Sequence, residues 1–81
     1  MLNKVIIGNQ KMNLTASQTR KFINAFVPMV EHLNCDIAIC VPYTNLAVCK
    51  RALKDTNVAF GAQNVSEFEK GAYTGEINSE M

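Results

Sequence analysis

The sequence predicts an α/β fold in the order β-α-β-α-β, built on parallel strands. Three short apolar, β-branched runs recur along the chain, two stretches with helical apolar spacing separate them, and the runs are continuous rather than alternating. Continuous runs mark strands buried on both faces, as in a parallel sheet covered by helices, and argue against hairpins. Parallel strands joined by helical crossovers give either an open doubly wound sheet or part of a (β/α) barrel, and composition does not choose between the two.

The first strand is expected over about residues 4–9, where Val5, Ile6 and Ile7 are consecutive. A helix is expected over about 15–32. It opens on Thr15-Ala16-Ser17-Gln18, a capping box in which the Thr and Gln side chains satisfy otherwise unpaired backbone donors. Phe22, Ile23, Phe26, Val27 and Val30 then form one apolar stripe, with Arg20, Lys21, Asn24 and Glu31 away from it. Pro28 falls inside this pattern, lacks a backbone donor and crowds the preceding turn, so a kink or an early end is expected. The second strand spans about 36–41. The second helix, over about 44–54, is expected to turn Leu46, Ala47, Cys49 and Leu53 toward the sheet, with Lys50, Arg51 and Lys54 as a solvated end that complements the helix dipole. The third strand spans about 57–63, and a long loop follows over 64–77 with Gly71 and Gly75 in it. A loop of that length in a compact domain is usually functional or an interaction element. Asn78 or Ser79 is placed to cap a third helix.

Composition narrows the function classes. The chain has 81 residues, 48% hydrophobic and 19% charged, with a formal net charge of +1. That apolar fraction is too high for disorder, and the neutral balance argues against phosphate-backbone binding. No apolar run is long enough to span a bilayer, and the residues from Met1 to Gly8 lack the features of a signal peptide, so no membrane partner and a cytoplasmic location are expected. Cys35, Cys40 and Cys49 fit neither a disulfide framework nor paired zinc ligands, and His32 is the single histidine, so no metal site is expected. Free buried thiols are the simpler reading of Cys40 and Cys49.

Two segments carry a resemblance. Gly8-Asn9-Gln10-Lys11-Met12-Asn13, directly after the first strand, resembles the Gly-Asn-Trp-Lys-Met-Asn signature of triosephosphate isomerases, with Gln10 where that family has Trp. Gly61-Ala62-Gln63-Asn64, followed by Gly71-Ala72-Tyr73-Thr74-Gly75-Glu76-Ile77, resembles the family's third strand and the loop behind it, and Pro42-Tyr43-Thr44 is placed as in the family. The match runs from about Val5 to Met81. It implies the N-terminal part of a (β/α)8 TIM barrel, a triose phosphate substrate, no cofactor and a homodimer.

The resemblance also implies site residues. Lys11 matches the signature lysine, whose ammonium stabilises the phosphate dianion and the transient enediolate oxygen at the rim where such barrels build active sites. Asn9 is implied as a substrate donor that holds the lysine. Gln10 lies between them as a possible substrate-contact neighbour, and the loss of the family's Trp is expected to change packing more than reaction. Thr74, Gly75 and Glu76 sit at the tip of a loop that enters the partner subunit in the family. The family's catalytic His follows its fourth strand and its Glu the sixth, so these 81 residues reach neither. His32 at a helix end, and the loop carboxylates Glu67, Glu69, Glu76 and Glu80, are not substitutes.

A barrel of about 250 residues in eight units uses roughly 31 per unit, so this chain supplies about two and a half units and is expected to be inactive alone. The alternative, from another class, is a non-catalytic assembly or complementation unit, because three parallel strands leave two edges open. A nucleotide-binding domain lacks the glycine-rich phosphate loop after its first strand.

Overall fold

A computed structural model describes residues 3–81. Three strands, β1 (Val5–Asn9), β2 (Asp36–Val41) and β3 (Val58–Ala62), form one sheet in the order β1-β2-β3. Both pairings are parallel, with Val5 opposite Asp36 and Ile37 opposite Val58. Helix α1 (Ala16–Val30) links the first two strands, and a short 3-10 turn (Tyr43–Asn45) running into α2 (Leu46–Ala52) links the second and third. The order is thus the expected β-α-β-α-β on parallel strands.

Local chemistry places the helix ends. Thr15 caps α1: its hydroxyl accepts from the Gln18 amide at 3.3 Å, and the Gln18 side chain accepts from the Thr15 amide at 2.9 Å. Pro28 lies within α1, which ends at Val30, the last residue of the apolar stripe and two residues short of the expected end near 32. Proline has no amide to give Asn24, so the last turn is held by its neighbours, with the Glu31 amide closing on the Val27 carbonyl at 3.0 Å. Helix α2 begins two residues later than the periodicity indicates, because the chain leaving Pro42 first makes the tighter 3-10 turn.

The core lies between the helices and one face of the sheet. Ile23 of α1, Ile37, Ile39 and Val41 of β2, Cys49 of α2 with Leu53 just beyond it, and Val58 of β3 make up the buried cluster. Burial alternates along β2, with Ile37, Ile39 and Val41 inside and Asp36, Ala38 and Cys40 more exposed.

That alternation corrects the expectation of strands covered on both faces. Both helices contribute to the core on the same face, and the other face, formed by Val5, Ile7, Ala38, Cys40, Ala59 and Gly61 in register, is open. Strand β1 is exposed throughout, with Val5 59%, Ile6 56% and Ile7 62% accessible, because it pairs on one edge only and α1 leans toward α2 rather than over it. Two helix positions also differ from the expected pattern. Phe22 remains 37% exposed, its ring stacked on Phe26 at 5.0 Å. In α2, Val48 is buried while Ala47 faces outward, one position off the expected stripe. The radius of gyration, 14.1 Å, exceeds the roughly 12 Å of a compact domain of this length, as a one-sided layer should.

The segment after β3 is ordered by its own contacts. The Ser66 amide donates to the Ile77 carbonyl at 2.8 Å and closes the loop base, while Phe68 and Tyr73 stack at 4.7 Å. Gly71, at φ 151°, lies against that stack: a Cβ there would meet the Tyr73 ring at 2.8 Å. The Asn78 side chain accepts from the Met81 amide at 2.8 Å, the bond a helix N-cap makes.

Candidate active site

In a parallel sheet all strands end on one rim, and that is where the signature residues gather. Asn9 is the last residue of β1, opposite Cys40 near the end of β2, and Gln63 follows β3 directly. Side chains alternate along a strand, so Asn9 lies on the open face with Val5 and Ile7, while Gln10 follows Ile6 and Gly8 toward the helices.

Lys11 adopts a left-handed backbone, φ 56°, which is unfavourable for a residue with a Cβ and persists only when its surroundings impose it. The restraints are visible on both sides. The Lys11 amide donates to Asn9 Oδ1 at 2.9 Å, and the Lys11 carbonyl accepts from Gln63 Nε2 at 2.9 Å. The preceding residue is tied as well: the Gln10 amide donates to the Cys40 carbonyl at 3.0 Å, and its carbonyl accepts from Asn13 Nδ2 at 2.9 Å. Lys11 itself is exposed.

The Gln10 side chain is half-buried. It turns inward, where Oε1 accepts from the Thr19 hydroxyl at 3.2 Å. Sequence reasoning assigned no role to Gln63, Thr19 or Asn45. The signal for Gln63 is its place in the Gly61-Ala62-Gln63-Asn64 segment at the end of the expected third strand; Thr19 and Asn45 carry none, being ordinary polar residues until the fold brings them together.

The remaining expected positions are separate from this rim cluster. Thr74, Gly75 (φ 86°) and Glu76 are exposed in the loop after β3, and His32 is exposed beyond the end of α1. Burial raises the Cys49 thiol above its ordinary pKa, which makes it a packing residue rather than a nucleophile. Among the described residues no three His, Cys, Asp or Glu side chains form a metal-binding group, and no helix is long and apolar enough to cross a membrane.

A one-sided parallel layer with a lysine-bearing loop beyond its first strand has the β-α-β-α-β arrangement that opens a (β/α) barrel. The comparisons give the family: the triosephosphate isomerase family model matches residues 4–81, and this chain belongs to that family. It is 43% identical over 82 residues to the triosephosphate isomerase of Solibacter usitatus, covering 100% of this chain and 33% of that protein. The enzymes of Alkaliphilus metalliredigens, at 40% identity, and Aquifex aeolicus, at 42%, are covered by 100% and 99% of this chain, again over 33% of their own length. The chain therefore spans about a third of the curated relatives it matches.

Proposed function

We propose that these residues are the Lys11-bearing segment of a triosephosphate isomerase that interconverts dihydroxyacetone phosphate and glyceraldehyde 3-phosphate in cytoplasmic glycolysis and gluconeogenesis. The observation that carries this reading is the Lys11 backbone, held left-handed at the rim between Asn9 and Gln63. A proton moves between adjacent carbons through an enediolate, so negative charge grows on oxygen while the phosphate keeps its own. A fixed ammonium serves both, and because its position is set before substrate arrives, no reorganisation is needed as the charge develops. Asn9 has one amide oxygen on the Lys11 backbone and its amide nitrogen left to donate to substrate oxygen. Triosephosphate isomerase is itself an established example of a carboxylate base working with a neutral imidazole electrophile. Neither has a counterpart here, and the isolated 81-residue chain is inactive on this reading. The complete enzyme is a homodimer, with Thr74, Gly75 and Glu76 at the subunit contact.

The test is a chimera in which residues 1–81 are continued by the remaining two-thirds of the Aquifex aeolicus enzyme. It is expected to isomerise glyceraldehyde 3-phosphate in a coupled assay, and Lys11→Ala to lower kcat/KM by at least about a hundredfold. An active chimera indifferent to Lys11→Ala would remove the assigned role.

The exposure of β1 favours a second reading, a non-catalytic unit that completes a barrel with other chains. Sedimentation separates the outcomes: a clean monomer at all concentrations counts against it.

A further inference from the structure

Two polar residues in the buried interior are out of place by composition: Thr19 of α1 and Asn45 at the end of the 3-10 turn are both 0% exposed. Buried polar groups are tolerated when bonded, and their partners show what they hold. Asn45 Nδ2 donates to Thr19 Oγ1 at 3.0 Å and to the Leu14 carbonyl at 2.8 Å, and its Oδ1 accepts from the Thr44 hydroxyl at 2.9 Å. The Thr19 hydroxyl passes the chain on, donating to Gln10 Oε1 at 3.2 Å. The relay thus begins near the N-terminus of α2, crosses α1, and ends on the two residues, Gln10 and Leu14, that bracket the Lys11 loop.

We propose that Gln10, Thr19 and Asn45 are positioning residues that fix the Lys11 loop from behind. The inference rests on the reading of Lys11 as the residue that faces substrate. Asn9 and Gln63 restrain Lys11 on the rim side. The relay supplies the opposite anchor, joining the loop to both helices. Packing alone does not account for these residues, because apolar side chains of the same shape would fill the space without needing partners. In Gln10, Nε2 is buried and without a partner, so this side chain sits there at a cost that filling the space does not require. A bonded relay specifies one loop geometry where an apolar patch would allow several.

The experiment compares Thr19→Val, Thr19→Ser and Gln10→Leu. Amide exchange of Lys11 and its amide–Hα coupling are measured in the 81-residue chain, and kcat and KM in the chimera. Thr19→Val and Gln10→Leu are expected to speed exchange at Lys11 by about tenfold or more and to lower kcat by roughly tenfold to a hundredfold, with KM changed less than about twofold. Thr19→Ser keeps the hydroxyl and restores both readouts. If Lys11 exchange and kcat stay within about twofold of the parent in Thr19→Val and Gln10→Leu, the relay is packing and the inference fails; should Thr19→Val unfold, Gln10→Leu decides. An inactive parent chimera overturns the isomerase reading, while Lys11 exchange in the chain still decides whether the relay positions the loop.

Discussion

At the scale of single residues, the environment of a group decides its role more than its type. Cys40 and Cys49 both look like buried thiols in the sequence, yet Cys40 is half-buried on the open face of the sheet while Cys49 is sealed in the core. Burial favours the neutral form of Cys49 and raises its pKa. Above the ordinary thiol value, near 8.5, the unfolded chain releases this proton while the folded chain keeps it. The unfolded state then binds fewer protons, so stability falls as pH rises through the interval between the ordinary and the raised value, and is unaffected by this group below it. Thermal melts of the parent and Cys49→Ala at matched pH check the sign. The parent is expected to lose more midpoint temperature than the variant between pH 8 and pH 10. Equal slopes would mean the thiol contributes nothing.

Elements formed by neighbours in sequence were legible in advance, and those formed by distant partners were not. The cap of α1 needs only Thr15 and Gln18, three residues apart, and both bonds are present. Thr15→Ala is therefore expected to lower stability by about 1 kcal/mol in denaturant unfolding. Pro28 acts in the other direction: Pro28→Ala restores a donor to the last turn and is expected to lengthen α1 and stabilise it by up to about 3 kcal/mol. A loss of stability in that variant would show that the proline's rigidity matters more than its missing bond. The relay behind Lys11 was invisible because Thr19 meets a residue 26 positions away and Gln10 meets one 9 positions away. No local pattern encodes such pairs. The signature around Lys11 was readable as a motif, but its left-handed backbone, tied by Asn9 and Gln63, needed the fold.

For the whole molecule, the apolar runs that predicted two-sided burial describe a sheet with one side covered. Ile37 and Ile39 meet the helices, and Val5 and Ile7 lie on the face that nothing among the described residues covers. The same substitution on that face should have opposite consequences in the two settings. In the 81-residue chain, Val5→Thr with Ile7→Thr keeps the β-branched shape and replaces exposed apolar surface, so self-association in sedimentation is expected to weaken with little change in stability. In the barrel-completed chimera that face becomes interior, and each buried hydroxyl without a partner is expected to cost about 1–3 kcal/mol. Destabilisation of the chimera alone identifies the open face as the missing half of a barrel core. Equal, small effects in both would mean that Val5 and Ile7 face solvent in the chimera as well, and the barrel reading of this layer would be wrong.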